Sequence, residues 1–200
     1  MIGALDAVKM TAYSRASIIR GQPIASAGRV GGMKWGALML AVVSLCLGCS
    51  TASGRVTALY GGPAAMRALL QPDKVESYRI TSAFRIKPGT VTTGKLHAWP
   101  VLAGPTPVPA DSARRLADLL RKDIYEWSSA KGCEIIPGVA VRFSRSGTEL
   151  DVVFCFECDI LVVYLNGRAV GSEDFDRAHQ DLAAIVRALY PDDAEIQKLK

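Results

Sequence analysis

Apolar spacing divides the chain beyond residue 62 into a short series of elements. "PAAMRALLQP", residues 63–72, starts with a proline at the first helical position and ends on another, and it predicts a short helix. "VESYRITSAF" alternates, with Tyr78, Ile80 and Phe84 on one side, which predicts a strand over 75–84. The Pro-, Gly- and Thr-rich stretch 87–110 predicts loop, with a short edge strand around Leu96–Leu102. From Asp111 to Trp127 the spacing turns helical: Ala113, Leu116, Ala117, Leu120, Ile124 and Trp127 form one stripe, with Asp111 or Ser112 as cap.

Residues 138–170 then carry four strand signals broken at "SRSG", "EC" and "NG", and Asn166–Gly167 is a two-residue hairpin turn. A second amphipathic helix follows, with Ser172 as cap and Phe175, Ala178, Leu182, Ile185 and Leu189 as its stripe, stopping before Pro191. Residues 191–200 suggest one or two further helical turns, acids first and lysines last. The expected architecture is α+β: an antiparallel sheet of about four to five strands with two main helices packed on one face, after a non-globular N-terminal leader.

That leader contains "MKWGALMLAVVSLCLGCS", residues 33–50. Lys34 is followed by an uncharged, mostly apolar run from Trp35 to Gly48. The run has the length of a secretory signal and is shorter than the roughly 20 residues that span a bilayer. The "LGC" ending at Cys49 resembles a bacterial lipoprotein signal, with Cys46 where that family usually carries Leu. The resemblance implies cleavage after Gly48 and lipidation of Cys49, which places the protein in the cell envelope, facing the periplasm or exterior. Cleavage after Ala52 or Ser53 and simple secretion is the alternative. Residues 1–32 then read as an upstream extension with translation starting at Met33, 33–48 as signal peptide, 49–62 as tether and 63–200 as a single globular domain.

Charge supports this division. The whole chain carries 24 Lys+Arg and 19 Asp+Glu, a net of +5, but residues 1–48 hold five of the bases (Lys9, Arg15, Arg20, Arg29, Lys34) and one acid, Asp6. The rest is close to neutral and offers no electrostatic footprint for nucleic acid.

With Cys46 leaving in the signal and Cys49 lipidated, three cysteines remain: Cys133, Cys155 and Cys158. An oxidising exterior favours a disulfide. Keeping the apolar faces of the first hairpin together pairs Phe143 with Thr148, Val141 with Leu150 and Val139 with Val152. Continued without a bulge, that register sets Cys133 opposite Cys158, at a separation a disulfide accepts. Pro137 is where the ladder is expected to break if it breaks. Cys133–Cys155 is the other pairing, with Cys155 otherwise a free thiol.

Two sharper readings compete with the bridge. "CFEC" as a redox motif wants a helix start after it, whereas strands flank it here. A zinc site would need Cys133, Cys155 and Cys158 with His97 or His179, and lacks the usual ligand spacing. "GTVTTGKL", residues 89–96, has the glycine and lysine spacing of a phosphate loop without its Ser/Thr and without a following helix. Glu173, Asp174 and Asp176 read as first-turn acids of a helix. No nucleophile–base pair is visible, so no catalytic residue, metal or cofactor is expected. "PGV-x-x-RF" at Pro137–Phe143 and "CF-x-C" at Cys155–Cys158 resemble small exported bacterial proteins of unknown function, a likeness that implies no activity. The expected role is a membrane-anchored, non-enzymatic binding or structural module with an envelope protein as possible partner. The alternative is a thiol redox or zinc-binding protein using the three cysteines.

Overall fold

The computed structural model describes residues 52–128 and 131–200. The leader, Cys46 and Cys49 lie outside them. The described elements are α1 (Ala52–Leu59), α2 (Pro63–Leu70), β1 (Lys74–Ile80), β2 (Gly94–Leu96), β3 (Trp99–Pro107), α3 (Ala110–Leu120), β4 (Val139–Arg145), β5 (Thr148–Cys155), β6 (Ile160–Leu165), β7 (Arg168–Asp174) and α4 (His179–Leu189). The class is α+β. The sheet has seven strands, not four to five, in the order β2-β3-β1-β4-β5-β6-β7, and every pairing is antiparallel. It curls into a half-barrel. No described helix is long and apolar enough to cross a membrane.

Alternation explains the two faces. Val139, Val141 and Phe143 of β4, with Leu150, Val152 and Phe154 of β5, point toward the helices and form the main core with residues from all four of them. Tyr78, Ile80, Ala140, Val153 and Val162 point the other way. They are covered by Leu96, Trp99 and Val101 of the β2–β3 hairpin, which lies back over the sheet.

The expected strand over 75–84 ends at Ile80; Phe84 sits in a short helical turn and is 60% exposed. The expected loop over 87–110 contains β2 and β3. Pro105 is tolerated because it falls in the register shift between Ser77 and Arg79, and Pro107 because it ends the strand, so neither missing N–H costs the regular ladder much. Gly104, at φ +107°, lets β3 pass β1 closely; a Cβ there would sit 2.7 Å from the Ser77 carbonyl oxygen.

The helix expected over 111–127 runs from Ala110 to Leu120. Its buried C-terminal end is closed by Tyr125, whose hydroxyl donates to the Leu120 carbonyl at 2.7 Å. Ile124 and Trp127 still pack against the core from the following loop. Ser172 caps no helix: it lies in β7 and donates to the Leu161 carbonyl at 2.9 Å, and the second helix starts at His179. Glu173 and Asp174 are likewise the end of β7, so they are not first-turn acids.

The tether expected over 49–62 is helical from Ala52 to Leu59. Val56, Leu59 and Tyr60 are buried at the three-to-four-residue spacing of one helical face. Tyr60 donates its hydroxyl to Tyr125 at 2.8 Å, tying α1 to the end of α3. Gly171 of β7 leaves room for it, since a Cβ there would stand 2.2 Å from the Leu59 carbonyl oxygen.

Candidate functional site

An open groove of about 560 Å³ lies where β1 ends and β4 begins. Four segments wall it: the loop after β1 (Thr81, Arg85, Ile86, Lys87, Thr90), the strand approach Ile136–Gly138, the β5–β6 turn (Phe156, Glu157), and the turn Glu195–Leu199. Its floor is apolar, with Leu102, Phe156, Ile196 and Leu199 contributing.

Arg79 organises the groove. It emerges from β1 nearly buried, and all three guanidinium nitrogens donate. It donates to Asp193 and Glu195 at 2.7 Å each, and to the carbonyls of Ile80 and Gly138 at 2.9 Å each. One side chain thus fixes the C-terminal turn to β1 and to the start of β4. Asp193 is the better-enclosed partner. Burial pushes its carboxyl up, but backbone N–H donation from Ile196 and the Arg79 guanidinium outweigh that and hold it below the usual range.

The wall formed by Ile136–Gly138 is held by its backbone. Ile136 N–H donates to Cys155 Sγ at 3.3 Å, Gly138 N–H donates to the Phe154 carbonyl at 3.0 Å, and the Gly138 carbonyl accepts from Ile80 at 3.1 Å. Below this wall the sulfurs of Cys133 and Cys158 meet, their Cα atoms 6.5 Å apart. The expected partners are therefore together, but not through the expected register. β4 and β5 pair Phe143 with Leu150, Val141 with Val152 and Val139 with Phe154, two residues away from the expectation. Continuing that ladder would set Cys133 opposite Ile160.

The reason is the turn. "SRSG" is a two-residue turn at Ser146 (φ 45°) and Gly147 (φ 80°), with Arg145 still paired to Thr148, not a four-residue loop. The ladder ends at Val139, and Cys133 reaches Cys158 because the latter sits in the β5–β6 turn rather than in a strand. Lys131 secures that turn, donating to the Cys158 carbonyl at 2.6 Å and to Asp176 at 2.7 Å. Cys155 is free and buried at the end of β5. Among the described residues no group of three His, Cys, Asp or Glu side chains converges as a metal site would require.

A second polar cluster was invisible in the sequence. Asp151, 1% exposed on β5, accepts from Arg142 Nε and Nη2 at 2.6 and 2.8 Å, and pairs with His97 Nε2 at 2.7 Å. The His97 ring stacks on Tyr164 with centroids 3.7 Å apart. Burial alone would raise the Asp151 carboxyl; the hydrogen bonds and charges of Arg142 and His97 reverse this and hold it below the usual carboxylate range. Arg142 and His97 converge on the one carboxylate, and the cluster pins the β2–β3 hairpin across the sheet. His179, the other candidate ligand, opens α4 and bonds Asp159 instead. The loop 89–96 ends in β2, with no helix after it.

The chain was compared with protein-family models, curated proteins and solved structures, and none matches it.

Proposed function

We propose that the protein is an exported module, held to a membrane by a lipid on Cys49 and facing the periplasm or exterior, whose groove binds an envelope component without transforming it. The observation that carries the reading is the meeting of Cys133 and Cys158. Cys133 is exposed, and a sulfur pair open to solvent persists in an oxidising compartment, the destination implied by the lipoprotein-like "LGC" at Cys49. The pair also has a use there, because it anchors the segment that becomes the Ile136–Gly138 wall.

Binding is favoured over catalysis by the lining itself. It includes neither histidine nor cysteine, and its two carboxylates, Glu195 and Glu157, are paired with Arg79 and Arg85.

The test is mass spectrometry of the protein isolated from its native host. The expected N-terminal peptide begins at acylated Cys49 and comes from the membrane fraction, with Cys133 and Cys158 linked under non-reducing conditions. Recovery of a tryptic peptide covering Ala16–Arg20, or a free thiol on Cys133 in exported protein, overturns the reading. An unacylated N-terminus near Ser53 in the medium converts it to simple secretion.

A further inference from the structure

The charges around the groove point to the chemistry of what it holds. Four cations line it (Arg79, Arg85, Lys87 and Lys198) against two carboxylates, Glu157 and Glu195. Both carboxylates are taken: Glu195 bonds Arg79 at 2.7 Å and Glu157 bonds Arg85 at 3.0 Å. Lys87 and Lys198 are exposed and have no carboxylate partner among the described residues. The same lining carries apolar side chains from Leu102, Ile136, Phe156, Ile196 and Leu199.

We propose that the groove takes an anionic amphiphile: a linear acyl chain laid on the apolar floor, with its carboxylate between Lys87 and Lys198. This rests on the binding reading above and names its ligand class. Each half of the ligand answers one half of the lining. An inorganic anion would leave the floor wetted. A neutral or cationic chain would leave two ammonium groups without a counter-charge or facing like charge. A nucleotide finds no stacking platform, because the Phe156 ring is 8% exposed and packed against Phe154 and Phe175. The volume falls within the roughly 300–1,000 Å³ of small-molecule clefts.

The experiment uses the full chain reconstituted in phosphatidylcholine vesicles, titrated calorimetrically with octanoate against vesicle-only controls. Inorganic phosphate and octyltrimethylammonium are run as comparison probes. Saturable octanoate binding is expected, with both comparison probes at least about tenfold weaker. The K87E/K198E double variant, altered only at exposed positions and checked for folding by circular dichroism, is expected to bind octanoate about tenfold or more weakly. The inference is overturned if octanoate does not saturate on the unaltered chain, if the folded double variant binds it equally well, or if octyltrimethylammonium binds as tightly. The mass of the Cys49 peptide is measured on the same preparation. Octanoate binding without acylation sinks the anchoring and keeps the ligand class, while acylated protein without octanoate binding does the reverse.

Discussion

Replacing Asp151 with alanine tests the ionic cluster that closes the half-barrel. The substitution removes the acceptor for two Arg142 hydrogen bonds and one from His97, and it leaves a guanidinium whose side chain is 20% exposed. Removing one partner of a buried ion pair costs about 3–5 kcal/mol. The lower figure applies here, since Arg142 keeps Glu149 at 3.3 Å and some contact with water. A loss of about 3 kcal/mol lowers Tm by about 6–12 °C in a domain of this size.

The pH dependence has a definite sign. The folded carboxyl titrates below its unfolded value, so its stabilisation is fully present above the unfolded value of about 3.9 and is lost as pH falls through the lower folded value. Thermal melts followed by circular dichroism from pH 7 to pH 2 should therefore show a constant gap between unaltered and D151A protein down to about pH 4. Below that the gap should narrow. In an R142A/D151A double variant the cost should fall short of the sum of the single ones. A gap under about 1 kcal/mol at pH 7, or parallel acid limbs, would refute the idea that Asp151 is a charged keystone.

Two further perturbations address the cysteine pair and α1. C133S/C158S opens a loop with a sequence separation of 25 residues, which by loop-closure entropy costs about 3.5 kcal/mol, read as a drop in the urea midpoint that dithiothreitol reproduces in the unaltered chain. An unchanged midpoint would show that the sulfurs do not bond. G171A drives a methyl group against the Leu59 carbonyl and should cost about 1–3 kcal/mol by thermal melt; no effect would mean that α1 does not pack on β7.

The sheet's second half was legible because local chemistry and tertiary demand agree there. β4, β5 and β6 carry the β-branched and aromatic runs of strands covered on both faces, and "NG" sits at the turn where Asn166 and Gly167 take positive φ. The register slipped by two because "SRSG" permits a two- or a four-residue connection and both keep Val141 on the core side. The Cys133–Cys158 pairing was thus anticipated from a register that the strands do not adopt.

β3 was obscured by its prolines, which a bulged strand tolerates and a regular one does not. α1 was obscured by "STASG", although Val56, Leu59 and Tyr60 already carried the helical spacing. Of the groove, Pro137 alone carries a local structural signal, as the residue at which the ladder is expected to break. Arg79 and Asp151 carry no local signal that sets them apart from exposed charges on a strand. Their roles depend on Asp193 and His97, partners set by the path of the chain and not by any local pattern.

Arg79 meets Asp193 and Glu195 across separations of 114 and 116 residues. The groove's wall at Glu195–Leu199 is therefore synthesised long after β1. On a chain that emerges from a ribosome or a translocation pore in order, β1 would wait with its guanidinium uncompensated until residue 195 had cleared the exit. The groove acquires its shape and its charge balance in one late step, after both of its walls have emerged.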